Sequence, residues 1–211
     1  MTHYHWGEPS EMSLTLPPGS FAAYLFDCDG TIADSMPLHY EAWNKALAKW
    51  NCTLSEERFY AWGGRPVTDI VAALNEEQGL AMPVGEVNQR KEDCFLDLLP
   101  RLEAVPEVLE VIQSMYGLIP FAVVSGSPLA SVSATLAALK LSDRFETLVC
   151  AGDYRKGKPD GEPFLVAASR LGVAPSSCLV FEDAELGIQA AVAAGMASVK
   201  ILSPKERGLA R

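Results

Sequence analysis

Five short apolar runs punctuate the chain. The first, Phe21-Ala22-Ala23-Tyr24-Leu25-Phe26, ends at Asp27, and the others span Ile119 to Val124, Thr147 to Ala151, Cys178 to Phe181 and Ala197 to Leu202. Each has the length of a strand and little alternation between apolar and polar positions. A strand covered on both faces of a parallel sheet reads this way. Between the later runs the spacing becomes helical. Leu129, Val132, Leu136 and Leu139 share one face, with Ser127 placed as N-cap and Pro128 in the first turn. Phe164, Ala168 and Leu171 repeat the pattern after Pro163, and Gly172 ends it. Ile188, Ala191 and Val192 do the same before Gly195. Strands alternating with helices predict an α/β fold with a doubly wound, mostly parallel sheet, built from residues 21–36 and 105–211.

Residues 37–104 break the alternation. Pro37 opens an amphipathic helix carrying Leu38, Ala42, Trp43, Ala46, Leu47 and Trp50. Pro66 opens a second, with Ile70, Val71 and Leu74, stopped by Gly79; Pro83 opens a longer third, running through Phe95 and Leu98. No strand-like run occurs here, so an inserted helical domain is expected over 37–104. Pro106 then restarts the α/β pattern with Val108, Leu109, Val111 and Ile112. Residues 1–20 are polar, end in Pro17-Pro18-Gly19-Ser20, and read as a flexible tail. His3 and His5 in it are either a metal pair at i, i+2 or two histidines in a tail.

Composition narrows the function. Hydrophobic residues make up 49% of the 211, enough for a large core. Lys and Arg total 17 and Asp and Glu 27, a formal charge of −10. Nucleic acid and anionic membrane are therefore poor partners. An anionic substrate is not excluded, because a bound cation reverses the local field. The five cysteines (Cys28, Cys52, Cys94, Cys150, Cys178) are scattered and form no CxxC, so neither a disulfide framework nor a zinc site is suggested. No apolar run reaches transmembrane length and the N-terminus lacks a signal-peptide pattern. A cytoplasmic monomer is the default expectation.

The candidate chemistry sits at strand ends, where open α/β sheets bind ligands. Asp27-Cys28-Asp29-Gly30-Thr31 follows the first run. Two carboxylates two residues apart are costly to hold together unless a cation or a shared proton relieves them. Turn chemistry is the alternative reading. Ser125-Gly126-Ser127 follows the second run, either to hold a phosphoryl oxygen or to cap a helix. Lys156-Gly157-Lys158-Pro159 follows the third, and Glu182-Asp183 the fourth. A solvated basic loop and helix-capping acids would explain these two singly. All four in this order are hard to assign to turns alone.

The set resembles the haloacid dehalogenase superfamily of phosphohydrolases, with the motifs Asp27-Cys28-Asp29-Gly30-Thr31, Ser125-Gly126-Ser127, Lys158-Pro159 and Glu182-Asp183 matching in order and spacing over nearly all of residues 22–202. The helical insert looks like that family's α-helical cap. Phe181-Glu182-Asp183-Ala184-Glu185-Leu186-Gly187-Ile188-Gln189-Ala190-Ala191, the Ala193-Ala194-Gly195-Met196 after it, and His39-Tyr40-Glu41-Ala42-Trp43 resemble the β-phosphoglucomutase-like branch, closest to sugar phosphatases of the fructose-1-phosphate type. Two departures stand out. Lys158-Pro159 is followed by Asp160-Gly161-Glu162-Pro163 where Ala-Pro-Asp is frequent, which keeps an acid in Glu162 but predicts a more mobile loop. Ala184 replaces a frequent Ser, which puts one capping bond in doubt.

The resemblance implies a mechanism. Asp27 is the expected nucleophile, forming an aspartyl phosphate. Mg²⁺ is the implied cofactor, held by Asp27, Asp183 and the Asp29 carbonyl, with Glu182 a weaker, outer candidate. Lys158 neutralises charge, and Ser125, Gly126 and the amides of Cys28 and Asp29 hold phosphoryl oxygens. Asp29 is the implied acid and base, a task that needs a raised pKa. In the insert, His39 is expected to couple cap closure to Asp29, or to be a surface histidine. Gly64 and Arg65 of Gly63-Gly64-Arg65-Pro66 are expected to reach substrate, or Arg65 to be a surface residue. Trp43 and Trp50 read as packing. The partner is then a small phosphorylated metabolite. Three functions stay open: a phosphatase of sugar phosphates, which Thr31 favours; a β-phosphoglucomutase-like phosphomutase; and an inactive binding scaffold, which the full set of residues disfavours.

Overall fold

A computed structural model of the chain describes residues 14–203 and 206. The strands are β1 (Ala23–Phe26), β2 (Phe121–Val124), β3 (Thr147–Val149), β4 (Cys178–Glu182) and β5 (Ala197–Lys200). The helices are α1 (Met36–Leu47), α2 (Glu56–Ala61), α3 (Val67–Gln78), α4 (Val84–Leu98), α5 (Pro106–Met115), α6 (Leu129–Ala138), α7 (Glu162–Leu171) and α8 (Glu185–Ala193). The five apolar runs all become strands, within two residues at each end. They pair in parallel in the order β3-β2-β1-β4-β5.

Helices cover both faces, which is why the strands carry so little alternation. Ala23 and Leu25 of β1 pack with Phe164 and Ala168 of α7 and with Ala190 and Ala191 of α8. Tyr24 and Phe26 point the other way, to Val108 and Ile112 of α5 and Val132 and Leu136 of α6. Phe26 stacks on Phe181 at 4.5 Å between centroids and meets Phe121 edge-on at 5.4 Å.

The periodicity misplaces two helix faces. Leu129 of α6 is 55% exposed, although Val132 and Leu136 are buried as expected. In α8 the inner face is Gly187, Ala190 and Ala191, and Val192 is 68% exposed. The reason is steric: a Cβ at position 187 would lie 2.0 Å from Cδ of Glu182. The helix approaches the buried acid so closely that only small residues fit there.

Between β1 and α5 the chain is helical and has its own apolar clusters. Trp43 and Leu47 of α1 pack with Phe59, Val71, Leu74 and Val87, and Leu38 and Ala42 pack with Phe95 and Leu98 of α4. Helix α2 escapes a periodicity reading because it has one buried residue, Phe59; Ser55 caps it by accepting from the Arg58 amide. The chain enters and leaves this helical segment along two adjacent linkers. Asp34 N donates to Glu103 O at 2.9 Å and Val105 N to Ile32 O at 3.0 Å, either side of an antiparallel bridge between Ala33 and Ala104.

The expected tail lies mostly outside the described residues, as do His3 and His5. Its end is not polar throughout: Leu14 and Leu16 pack against the cluster around Phe26. Among the described residues no helix is long and apolar enough to cross a membrane.

Phe26 is fully buried at the centre of the sheet. Phe26→Ala is expected to lower unfolding free energy by about 3–5 kcal/mol, read by urea titration.

Candidate active site

The site assembles where the order of strands reverses about β1. Phe26 pairs with Phe181 and Val123, so the residues that follow β1, β2 and β4 emerge side by side. Asp27 ends β1 with its amide on Phe181 O at 2.9 Å, and Ser125 follows β2 with its amide on Val149 O at 2.9 Å. Lys158 reaches in from the loop after β3. Its Nζ donates to Asp27 Oδ1 and to Glu182 Oε2, both at 2.6 Å, and to Val124 O at 3.1 Å. All three ammonium protons are thereby used, and the ammonium also lies 5.1 Å from the Phe164 ring centroid.

Asp27, Glu182 and Asp183 bring one carboxylate oxygen each to within 4.8 Å of the others. A single lysine cannot neutralise three acids. Burial first, then the charge of Glu182, pushes the carboxyls of Asp27 and Asp183 up, Asp183 to about 7, against the opposing pull of Lys158. Lys158 would be pushed down by burial, but Asp27 and Glu182 outweigh that and hold it charged. The donor set is hard oxygen only and carries excess negative charge, so it fits a hard divalent cation. Gly30 is part of the fit. Its φ is +88°, and a Cβ there would lie 2.2 Å from Asp183 Oδ2. Glu182 is tied otherwise: Oε2 is on Lys158 and Oε1 accepts from the Ala184 amide at 3.2 Å. That last bond also serves the start of α8, where Ala184 supplies no side-chain cap.

Asp29 faces away from this cluster into three donors. Oδ1 accepts from Ser35 Oγ at 2.8 Å and meets His39 Nε2 at 2.9 Å, and Oδ2 accepts from Ser127 Oγ at 2.8 Å. Burial alone would raise this carboxyl. The neighbouring His39 and the hydrogen bonds from His39, Ser35 and Ser127 outweigh burial and hold it well below the usual carboxylate range. The expected raised pKa is therefore not what these groups produce. His39 meets the carboxylate through Nε2, and its buried Nδ1 has no partner among the described residues. The ring stacks on Phe95 at 3.9 Å.

Two serines change role here. Ser127 does not cap α6: Pro128 is the N-cap residue, with no side-chain bond, and the Ser127 hydroxyl goes to Asp29. Its amide donates instead to Ser125 Oγ at 3.0 Å. Ser35 is fully buried and gives its hydroxyl to Asp29, whereas in sequence, before Pro37, it has only the look of a helix-start residue. The space beside Gly126 is open. Cys28 is buried, and burial first, then Asp29 and Asp27, pushes its thiol well up, so it offers no thiolate. The loop that carries Lys158 is stitched down from its far end by the acid in the altered position. Glu162 accepts from the amides of Arg155 at 3.1 Å and Lys156 at 2.9 Å, which offsets the lost proline.

The helical segment reaches the rim. An added Cβ at Gly64, whose φ is +79°, would sit 3.1 Å from Leu186 Cδ1, three residues past Asp183. Arg65 is exposed and lies 5.3 Å from the Trp62 ring centroid, so it is near the rim and not drawn to the acids.

These features, acids and one lysine at the carboxyl ends of a parallel sheet beneath a helical insert, have known counterparts. A family model described as haloacid dehalogenase-like hydrolase matches residues 21–195, and the chain belongs to that family. Fructose-1-phosphate phosphatase YqaB of Escherichia coli is 37% identical over 182 residues, covering 86% of this chain and 96% of that protein. The phosphorylated carbohydrates phosphatase of Thermotoga maritima is 30% identical, covering 82% of each. A β-phosphoglucomutase structure from Clostridium difficile superposes with a TM-score of 0.77 at 24% identity, over 90% of this chain and 88% of that one. The chain is a phosphoric monoester hydrolase of the haloacid dehalogenase type.

The raised Asp183 carboxyl makes stability fall with pH. Between the unfolded value near 3.8 and the folded value of about 7, the folded chain binds the extra proton, so raising the pH favours unfolding. In EDTA the melting temperature is expected to drop from pH 4.5 to 7.5, at up to about 1.4 kcal/mol per pH unit for one group. Asp183→Asn should flatten that drop; an unchanged slope would remove Asp183 as its source.

Proposed function

We propose that this chain is a Mg²⁺-dependent phosphatase of small phosphorylated sugars that works through an aspartyl phosphate on Asp27. The observation that carries this reading is the buried Lys158 ammonium clamped between Asp27 and Glu182, with Asp183 in the same cluster. A structural core has no need of three acids around one lysine. A phosphoryl-transfer site does, because it must bring a carboxylate to a phosphate dianion. The sugar class is supported by the names of the relatives, a fructose-1-phosphate phosphatase and a phosphatase of phosphorylated carbohydrates.

The roles follow from position. Asp27, Asp183 and the Asp29 carbonyl would hold Mg²⁺, which would supply the positive charge that relieves repulsion between nucleophile and substrate. Glu182 stays on Lys158 and orients it. An Asp27 oxygen attacks phosphorus and the bond to the sugar oxygen breaks. Ser125, Lys158, Gly126 and the amides of Cys28 and Asp29 hold the phosphoryl oxygens meanwhile. Asp29 gives a proton to the leaving oxygen, then takes one from the water that attacks the phosphoenzyme, releasing phosphate and restoring Asp27. The free site keeps Asp29 ionised, which suits the second half. For the first half it must gain a proton, and the dianion arriving beside it shifts its carboxyl upward.

The helical segment over 37–104 acts as the cap. His39 holds Asp29 from it, and Gly64 and Arg65 are its candidates to meet the sugar, a role supported by the close approach of Gly64 to Leu186. The protein works as a monomer, and its five free cysteines suit the reducing cytoplasm.

The test is released phosphate from a panel of phosphorylated sugars, polyols, nucleotides and glycolate, with Mg²⁺ and then EDTA. Release concentrated in a few sugar phosphates and lost in EDTA is expected. No release, but isomer conversion with an added bisphosphate, would replace the phosphatase by a phosphomutase. Asp27→Asn should reduce turnover by at least about 10⁴-fold with the fold kept, as loss of a covalent nucleophile does; activity well above that level would remove Asp27 from the role.

A further inference from the structure

A buried charged pair lies outside the site and takes no part in the chemistry above. Glu92 Oε2, on α4, accepts from Ser131 Oγ, on α6, at 2.5 Å, and Glu92 Oε1 meets Lys91 Nζ at 2.8 Å. The side chains of Lys91 and Glu92 are 9% and 15% exposed. Helix α4 belongs to the apolar clusters of the helical segment, whereas α6 packs on the sheet. The Glu92–Ser131 bond therefore ties one layer to the other, away from the paired linkers at Ala33 and Ala104.

The same stretch of α4 touches the acid/base machinery. Phe95, one turn beyond Lys91, stacks on His39, and His39 holds Asp29. Lys91 Nζ is 5.7 Å from the Phe95 centroid. A shift of α4 away from α6 would thus carry Phe95 and the imidazole with it. A buried acid is tolerated only with its partners in place, so the contact has two favourable states. Either the helices are docked and Glu92 is bonded, or they are apart and it is in water.

We propose that Glu92 and Ser131 form the latch that docks the helical segment on the sheet layer, and that both are positioning residues for Asp29. The docking part stands by itself, whereas the effect on turnover rests on the phosphatase reading.

Ser131→Ala, Glu92→Gln and the double variant test it by hydrogen–deuterium exchange and by kinetics. Ser131→Ala is expected to raise amide exchange several-fold across residues 84–98 and leave β1 and β4 at wild-type protection. It should lower kcat/KM for the best sugar phosphate about tenfold, the size of one lost hydrogen bond to a charged group. In the Glu92→Gln background the same change should add little, because its charged acceptor is already gone. Unchanged exchange over 84–98 would overturn the latch. So would a rise of equal size in β1 and β4, which marks general loosening, or equal effects of Ser131→Ala in both backgrounds, which gives the hydroxyl another partner. If exchange responds as expected but the wild type hydrolyses no ester, the phosphatase reading fails and the latch remains.

Discussion

One buried ammonium holds the carboxyl ends of three strands together. Lys158 Nζ binds Asp27 at the end of β1, Val124 O at the end of β2 and Glu182 at the end of β4. Without that charge, Asp27, Glu182 and Asp183 would face one another across a few ångströms in a site that water barely reaches. Burial and mutual repulsion already push Asp27 and Asp183 up with the lysine present. The arrangement is therefore under-neutralised by design of its composition. It favours whatever brings further positive charge, and it is least comfortable near neutral pH with no cation bound. Removing one partner of such a group is worse than never having it, because the remaining charge stays buried.

The close approach of these charges dictates sequence well away from them. Gly30 turns the chain back under Asp183 with a φ that side chains avoid, and leaves no room for a Cβ. Gly187 lets the first turn of α8 lie on Glu182, and the small inner face of that helix follows. The inner face is therefore Gly187, Ala190 and Ala191, not the expected Ile188, Ala191 and Val192, because Glu182 lies beneath the first turn. An apolar ridge in its place would push α8 off the sheet and pull Glu182 from Lys158.

Much of the fold and of the acid cluster was legible because both are local in sequence. An apolar run without alternation reports burial on two faces, and an acid, serine or lysine just past its end reports a position at the site. The parts that were not legible are long-range. Ser127 next to Pro128 has every local mark of a helix cap, and only the fold shows Asp29 within 2.8 Å of its hydroxyl. Ser35 before Pro37 signals only a helix start, and its hydroxyl goes to Asp29 instead. A raised Asp29 carboxyl was expected because the implied acid and base task needs one; the three donors that outweigh burial come from positions 6, 10 and 98 residues away. Leu14 and Leu16 alternate within a polar stretch too short to show a period. Glu92 and Ser131 each look like ordinary helix-surface residues, since nothing in α4 alone tells which of its polar residues meets another helix.

The two layers thus divide the work unequally. The sheet layer carries the charge: Asp27, Lys158, Glu182 and Asp183 all come from strand ends or the loops beside them, and their geometry depends on strand register. The helical segment and its linker act on Asp29, through His39 on α1 and Ser35 just before it, while Ser127 holds the other oxygen from the sheet side. Asp29 is therefore the carboxylate of the site whose environment depends on how the layers sit, as that of Glu92 does outside it. With the segment docked, its three donors keep it ionised. With the segment displaced, it would lose the imidazole and regain water, and its affinity for a proton would change. On the proposed mechanism Asp29 gives a proton and then takes one back, and donors from both layers suit a group with that task.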